Sequence, residues 1–259
     1  MSAEPDVGVD ARRVRALILQ HEAPTPPGLV AEWLGSHGAH AETLRIDIDD
    51  RTIDPSEFDL IISLGSEFAA FDDSKPFVPR EAELMRRATD ADVPVLGLCF
   101  GGQLLARAIG GEVYRSDDSE IGWLRIDSTD PEFVPEGPWF QWHFDTFTLP
   151  SIATIVANTA VGPQAFVVGR SLGLQFHPEV TPQIMDEWVR VYRHELDDDG
   201  VDPDRLLEET NRRASEARRM SWQLLERFWS DVANLDDVGG TTQEGGAAPA
   251  PETGGEALR

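Results

Sequence analysis

The sequence predicts an α/β fold: a three-layer open sheet, mostly parallel, with an antiparallel extension of the sheet and a helical extension near the C-terminus. Three observations carry this prediction. Short apolar runs alternate with segments of helical periodicity between residues 14 and 109. Strand-like segments then follow one another without long helices between residues 120 and 176, and helical periodicity returns after residue 181.

The first half of the chain supplies the parallel part of the predicted sheet. Four predicted strands are short and apolar, and they cover residues 14–19, 41–48, 58–64 and 93–98. Three predicted helices have apolar residues three and four positions apart, and they cover residues 29–37, 80–89 and 101–109. Gly38 and the pair Gly110-Gly111 are typical helix ends. Helices that separate strands favour parallel pairing, with helices on both faces of the sheet.

The second half predicts the antiparallel extension. Five strand-like segments lie close together in sequence, at residues 120–127, 144–149, 152–158, 165–168 and 172–176. Connections this short join antiparallel strands more readily than parallel ones. Residues 181–195 have helical spacing and are predicted to form one helix.

The domain organisation follows from changes in composition. Residues 1–12 are predicted to be a disordered tail, residues 13–195 the α/β domain, residues 196–235 a helical extension, and residues 236–259 a disordered acidic tail. Met220, Leu224 and Phe228 lie on one face of the extension. This face either packs onto the domain or docks a partner.

The charge of the chain excludes two classes of partner. Acidic residues outnumber basic ones by 47 to 22, which gives a formal net charge of −25, and Lys75 is the only lysine. A surface this negative repels nucleic acids and anionic membranes, so neither is expected to bind. Two interpretations stay open: an ordinary soluble acidic protein, or adaptation to high salt, where self-repulsion is screened.

The cysteine count and the N-terminus predict a cytoplasmic location. With a single cysteine, Cys99, the chain cannot form an intramolecular disulfide, and a cysteine-based metal site is not expected. Residues 1–13 are polar and acidic without an apolar core, and no segment approaches 18 unbroken apolar residues. We therefore expect a soluble intracellular protein.

Cys99 lies where a buried strand turns into a helix, in the run Gly97-Leu-Cys-Phe-Gly101. A nucleophile at such a turn projects from the carboxyl edge of the sheet, and glycines on either side avoid steric clashes there. The helix N-terminus favours a thiolate, and the Phe100 N–H group can stabilise an oxyanion. Taken alone, the run is equally consistent with a buried structural cysteine.

A second run offers a base for that nucleophile. His177 ends an apolar strand, Pro178 imposes an extended exit, and Glu179 follows. Extended geometry places the His177 and Glu179 side chains on the same side of the chain, so the carboxylate can orient the imidazole ring. His143 and Asp145 form a less favoured alternative dyad. His21, after the first strand, is a candidate for lining the pocket at the same sheet edge.

These runs resemble the motifs of class I (triad-type) glutamine amidotransferases. Gly-Leu-Cys-Phe-Gly-Gly-Gln at 97–103 and Gln-Phe-His-Pro-Glu at 175–179 match their two motifs in the right order. Gln-Trp-His-Phe-Asp-Thr-Phe-Thr-Leu-Pro at 141–150 is similar to a segment of the stand-alone, GMP synthase-like branch. The resemblance covers residues 14–195 and implies a flavodoxin-like sheet.

The resemblance also implies residue roles. The expected catalytic residues are Cys99 as nucleophile, His177 as general base and acid, and Glu179 as the orienting carboxylate. The expected oxyanion donors come from Phe100 and Gly65, and the expected substrate-binding residues are Gln103, Ser66 and His143. No metal or organic cofactor is expected. Two segments depart from the family pattern: Ser66-Glu67 replaces Gly-Pro after Gly65, and Phe144 replaces glycine.

The implied reaction is hydrolysis of the γ-amide of glutamine through a γ-glutamyl thioester, with ammonia passed to a separate acceptor or synthase subunit. The sequence contains no phosphate-binding P-loop and no Ser-Gly-Gly-x-Asp loop for ATP. Two alternatives remain. The chain can be a free-standing hydrolase of γ-glutamyl amides or peptides, or a non-catalytic binding or regulatory module with the same fold.

Overall fold

The computed structural model describes residues 12–236 and Val238, so almost all of the two predicted tails lies outside the described residues. Strands and helices carry labels in chain order. The strands are β1 Arg15–Gln20, β2 His40–Arg45, β3 Leu60–Ser63, β4 Val95–Leu98, β5 Val113–Leu124, β6 Asp127–Ser128, β7 Trp139–Phe147, β8 Thr154–Asn158, β9 Pro163–Val168 and β10 Ser171–Leu174. The helices are α1 Gly28–Ser36, α2 Phe77–Asp90, α3 Phe100–Ala108, α4 Pro182–Val191, α5 Arg193–Asp198 and α6 Pro203–Arg227, which continues as a π-helix over Phe228–Val232.

The main sheet has eight strands in the order β2-β1-β3-β4-β10-β9-β8-β6. The neighbouring pairs among β2, β1, β3, β4 and β10 are parallel, and those among β10, β9, β8 and β6 are antiparallel. This confirms the predicted fold class, including the antiparallel extension. The parallel part arises because each crossover between its strands runs over a face of the sheet.

Helices cover both faces of the sheet, which produces the three layers. Along β1, Ala16 and Ile18 face a core that also contains residues of α1 and α6, whereas Leu17 and Leu19 face a core shared with α2 and α3. Alternate residues of a strand point to opposite faces, so a strand that is apolar throughout must be covered on both sides.

Several predicted elements differ from the structure. The strand predicted at 144–149 begins earlier, at Trp139, and is β7. The strand predicted at 120–127 begins at Val113, and β5 pairs with β7 in a separate two-stranded sheet. Its pairing is irregular between Arg115 and Glu120, where polar residues interrupt the apolar alternation and hide the strand from a periodicity search. The single helix predicted at 181–195 is two helices, α4 and α5, which meet at Tyr192.

The C-terminal helix α6 packs against the α/β domain. Leu224, Leu225 and Phe228 are fully buried in the same core as α1. The Ser221 hydroxyl donates a hydrogen bond to the Pro178 carbonyl oxygen at 2.7 Å, which connects α6 to the loop after β10. Of the helices in the described part of the chain, none is both long and apolar enough to cross a membrane.

Candidate active site

Cys99 occupies a strained turn between β4 and α3. Its backbone has φ 49° and ψ −105°, a region that residues with a side chain rarely adopt. The turn requires glycine beside it: a Cβ atom on Gly101 would lie 2.3 Å from the Ser63 carbonyl oxygen. Because β4 lies next to β3 and β10, the turn places the thiol at the carboxyl edge of the parallel strands, where ligands usually bind in such sheets.

His177 and Glu179 form a buried pair beside that thiol. His177 Nδ1 lies 2.7 Å from Glu179 Oε1, and both side chains are almost fully buried. A Cβ atom on Gly65 would lie 3.0 Å from His177 Cε1 and 3.8 Å from Cys99 Cβ, so the imidazole and the thiol flank the same point. The glutamate therefore orients the ring from one side while the other side faces the Cys99 thiol.

The surroundings of His177 favour its charged form. Burial alone would lower its pKa, but the Glu179 carboxylate and then the Cys99 sulfur raise the pKa to about 10. The imidazolium is therefore the form of His177 that these surroundings favour at neutral pH. In that state His177 holds the proton that a leaving group needs.

Two glutamines add a polar layer beneath the thiol. Gln175 Nε2 donates a hydrogen bond to Cys99 Sγ at 3.7 Å, and Gln103 Nε2 donates to Gln175 Oε1 at 3.2 Å. A donor aimed at the sulfur stabilises its anion. Gln175 is not among the site residues that the sequence predicts, although the alternation of the strand is a usable signal, because Gln175 and His177 are two residues apart and share a side.

His143 and Asp145 do not form a side-chain dyad. His143 Nδ1 donates to the backbone oxygen of Asp145 at 3.1 Å, and His143 Nε2 lies 3.0 Å from a carboxylate oxygen of Glu120. The Asp145 carboxylate lies 3.5 Å from Arg115 instead. Burial raises the pKa of Asp145, and the charge of Arg115 partly offsets this.

The turn after β3 carries Ser66 and Glu67, two of the residues that depart from the family pattern. The Ser66 hydroxyl donates to a Glu22 carboxylate oxygen at 2.6 Å, and the Glu67 N–H group donates to the same oxygen at 3.3 Å. Burial raises the pKa of Glu22, while the hydrogen bond from Ser66 opposes that rise. Proline at position 67 would lack this N–H group, so Ser66-Glu67 gives the turn an anchor that Gly-Pro could not provide.

One cavity of about 170 Å³ brings the expected site residues together. It is lined by Cys99 and His177, by Gly65, Ser66, Phe100, Gln103 and His143, and by the charged residues Glu67, Arg115, Asp145 and Glu195. Glu179 does not line the cavity itself but contacts His177, which does. His21, expected as a lining residue, is not among the lining residues and is completely buried behind the turn after β3. Within residues 12–236 and Val238, no cluster of three or more His, Cys, Asp or Glu side chains is arranged to hold a metal ion.

Comparisons with known proteins place residues 29–190 in one family, because the sequence model described as "Glutamine amidotransferase class-I" matches them. A protein named GMP synthase (glutamine-hydrolyzing) from Vibrio vulnificus strain YJ016 is 28% identical over 162 residues, which cover 59% of this chain and 30% of that protein. The protein of the same name from Edwardsiella ictaluri is 32% identical over 172 residues, which cover 59% of this chain and 31% of that protein. The chain thus spans about 30% of the length of these curated relatives.

Solved structures match over much more of the chain. A crystal structure of a glutamine amidotransferase from Thermotoga maritima has a TM-score of 0.75 and 32% identity, and the match covers 83% of this chain and 98% of that one. A glutamine amido transferase from Methylobacillus flagellatus has a TM-score of 0.76 and 27% identity, with 86% and 96% coverage. Both matches extend beyond the boundaries of the family match, so most of the chain shares their fold.

Proposed function

The chain belongs to the glutamine amidotransferase class-I family, and from that membership we propose that it hydrolyses the γ-amide of glutamine. Cys99 is the nucleophile in this proposal, His177 the general acid and base, and Glu179 the residue that orients His177. One observation carries the proposal: the strained Cys99 turn and the buried His177–Glu179 pair line or support a single cavity. A nucleophile, a base and an orienting group in this arrangement are the requirements for acyl transfer.

Acylation begins with attack of the Cys99 sulfur on the γ-carbonyl carbon of glutamine. The carbonyl electron pair moves to oxygen, and the N–H groups of Phe100 and of the Gly65–Ser66 turn stabilise that oxyanion. His177, protonated because its pKa is raised to about 10, donates its proton to the amide nitrogen. The carbon–nitrogen bond breaks, ammonia leaves, and a γ-glutamyl thioester remains on Cys99.

Deacylation uses the same residues in reverse. The thioester no longer carries the negative sulfur that raised the pKa of His177, so the ring becomes a better base than before. His177 takes a proton from water while the water oxygen attacks the thioester carbon. The carbon–sulfur bond breaks, glutamate leaves, and His177 again holds the proton beside the sulfur anion. One glutamine and one water become one glutamate and one ammonia.

The cavity carries both signs of charge, as recognition of an α-amino acid requires. Arg115 supplies a cation, and Glu67, Asp145 and Glu195 supply carboxyl groups near it. The proposed substrate-binding residues Gln103, Ser66 and His143 line the same space. A zwitterionic substrate end fits such a mixture better than an apolar compound does.

Two versions of the proposal differ in what happens to the ammonia. Because the relatives named GMP synthase are about three times as long as the matched segment, we propose that ammonia passes to an acceptor site on a separate synthase subunit. The alternative is a free-standing hydrolase of γ-glutamyl amides or peptides. The exposure of Arg115 favours this alternative: its side chain lines the cavity and is 64% exposed, so the cavity meets solvent on that side, where a larger leaving group would extend.

The test is an assay of glutamate release in molar KCl from L-glutamine and from a panel of γ-glutamyl amides and peptides. We expect Cys99→Ala to abolish turnover while its melting temperature stays near that of the wild-type chain. Ser119→Ala serves as a matched control, because its hydroxyl contacts Asp199 on the surface. Turnover that survives in Cys99→Ala would contradict the nucleophile assignment.

The same assay separates the alternatives. Turnover of glutamine or a γ-glutamyl amide without a partner indicates a free-standing hydrolase. If the wild-type chain shows no turnover but a chloroketone analogue of glutamine alkylates it in a Cys99-dependent way, the chain is a glutaminase that needs its synthase. Silence with no such alkylation indicates the third option, a non-catalytic binding module.

A further inference from the structure

Three polar side chains, His21, Glu81 and Ser63, form a fully buried cluster that the proposed mechanism does not use. All three are 0% exposed. His21 Nε2 lies 2.9 Å from Glu81 Oε2, and the Ser63 hydroxyl donates to Glu81 Oε1 at 2.6 Å. The remaining ring nitrogen, His21 Nδ1, lies 3.1 Å from the carbonyl oxygen of Gly65. The cluster therefore ends on the turn that is proposed to stabilise the oxyanion.

The hydrogen-bond partners determine where the protons are. The Gly65 carbonyl oxygen can only accept, so His21 Nδ1 must carry a hydrogen. Glu81 holds the other ring nitrogen, Nε2, and receives the Ser63 hydroxyl on its second oxygen. Burial is the largest single influence on the pKa of His21 and lowers it, but Glu81, Glu22 and the Gly65 carbonyl oxygen together raise the pKa above its usual value. Both ring nitrogens of His21 are thus occupied, and the Nδ1 hydrogen is directed at the Gly65 carbonyl oxygen.

Because of the geometry of the peptide bond, the direction of the Gly65 carbonyl group also determines the direction of the Ser66 N–H group. In a trans peptide the carbonyl group and the following N–H group point in opposite directions, and Gly65–Ser66 is not among the cis bonds of the described chain. A Gly65 carbonyl held on His21 therefore turns the Ser66 N–H group away from His21. Gly65 and Ser66 both line the cavity, and neither N–H group of these two residues donates to another atom of the described residues.

We propose that His21 and Glu81 are positioning residues that hold the Gly65–Ser66 peptide with its N–H group toward the cavity, as the second oxyanion donor beside Phe100 N–H. This inference rests on the proposed amide hydrolysis. His21 acts through the peptide and does not touch the substrate. Glu22 accepts hydrogen bonds from Ser66 and Glu67 in the same turn, but these contacts do not determine the direction of the Gly65 carbonyl group.

Stability alone does not account for the cluster. A buried ion pair contributes little net stability compared with apolar side chains of the same volume, because both charges lose their hydration. His21 lies between the rings of Phe77 and Phe100, an environment that an apolar residue would fill at lower cost. The Gly65 carbonyl is the one contact of the His21 side chain that needs a charged or polar donor and leads to the site.

The test compares two variants of His21 that differ only in the donor. His21→Leu removes it, whereas His21→Asn keeps an N–H group near the position of Nδ1. We expect His21→Leu to lower kcat about 100- to 1000-fold with little change in KM, the effect typical of losing one oxyanion donor. His21→Asn should recover most of that loss. His40→Leu on the exposed edge strand β2 is the matched control.

Two alkylation rates of Cys99 separate positioning from general damage. A chloroketone analogue of glutamine reacts through addition of the thiol to its carbonyl group and therefore needs the oxyanion donors. Iodoacetamide reacts by direct displacement of iodide and does not need them. We expect His21→Leu to slow the chloroketone reaction while the iodoacetamide rate stays near wild type. Parallel loss of both rates, or His21→Asn as impaired as His21→Leu, would overturn the inference.

If His21→Leu does not fold, His21→Gln gives the same readout. Its amide nitrogen comes near the position of Nε2, so the contact with Glu81 is kept while the Gly65 carbonyl oxygen loses its donor. We expect the chloroketone rate to fall relative to the iodoacetamide rate, with His40→Gln on the exposed edge strand as the control. A wild-type chain that neither turns over nor reacts with the chloroketone would contradict the proposed function. An active wild type with an unaffected His21→Gln would contradict the positioning role alone.

Discussion

The charge on His177 depends on two neighbours, Glu179 at 2.7 Å and the sulfur of Cys99. Both oppose the effect of burial, which by itself would favour a neutral ring. In the proposed reaction, this balance leaves His177 protonated for the first step, and acylation of the sulfur then removes one of the two charges. The same ring can therefore act as acid and as base within one cycle.

The raised pKa of His177 makes a prediction about pH. Since the proposed mechanism needs His177 protonated before substrate binds, we expect kcat/KM to stay level above neutral pH and to fall as the pH rises through about 10. Glu179→Gln removes the carboxylate charge that raises this pKa. The basic limb of the profile should then move down by about 1 to 3 pH units, the usual effect of a close opposite charge.

The measurement is the pH dependence of kcat/KM for both proteins. Glu187→Gln is the control, since its carboxylate pairs with Arg190 on the surface of α4. A basic limb that stays in place in Glu179→Gln would show that the carboxylate does not set the charge of His177.

Residues of the candidate site differ in how far the sequence predicted them. Cys99, His177 and Glu179 lie in runs of a few residues whose local geometry follows from the chain itself, so their expected proximity within each run could be predicted. The contact between Gln175 and Cys99 and the contact between His21 and Glu81 join segments far apart in sequence. Such contacts depend on strand order, which no short run encodes.

At the scale of elements, helix α1 contacts the loop that carries Glu179. Its first residue, Gly28, has φ +46°, and a Cβ atom there would lie 2.1 Å from the Glu179 carbonyl oxygen. The Leu29 N–H group donates to that same oxygen at 3.0 Å. The start of the helix thus holds the backbone of the His177–Glu179 loop, and the hydroxyl of Ser221 on α6 holds the loop at Pro178.

Gly28→Ala should therefore reduce activity beyond its effect on stability. The new methyl group cannot fit without moving the Glu179 backbone, so we expect kcat to fall at least about tenfold, as a displacement of about 1 Å can cost about 100-fold. Gly38→Ala is a matched control, because Gly38 also has a positive φ, +64°, with no atom within 4 Å of its Cβ position.

The measurements are kcat and the melting temperature of both variants. Gly38→Ala should lose about 1–2 kcal/mol of stability from backbone strain and keep its kcat. Equal kcat values in the two variants would show that contact between α1 and the Glu179 loop does not affect catalysis.

At the scale of the whole molecule, the net charge of −25 is the dominant feature. The ion pairs that the described residues form are mostly exposed at the surface, as in the pairs of Arg86 with Glu83 and Asp90, and such pairs contribute little stability. Unpaired carboxylates repel one another in the folded state more than in the expanded unfolded chain. We propose that the chain is adapted to high salt.

The melting temperature should accordingly rise by several degrees from dilute buffer to molar KCl. Salt at about 1 M shortens the screening length to about 3 Å, which weakens the repulsion. In a domain of this size, about 1 kcal/mol corresponds to about 2–4 °C. Sorbitol at equal osmolality is the control, since it leaves the charges unscreened. A melting temperature that does not change with KCl would contradict the proposal.

The sequence by itself determined the fold class, the strained turn at Cys99 and the pairing of His177 with Glu179. Each of these follows from periodicity or from a few adjacent residues, whose geometry the backbone restricts directly. The tertiary structure decided the separate β5–β7 sheet, the packing of α6 and the link from Glu81 through His21 to the Gly65 carbonyl. These features depend on the way in which side chains from distant segments pack into a common core, and no single segment carries that information.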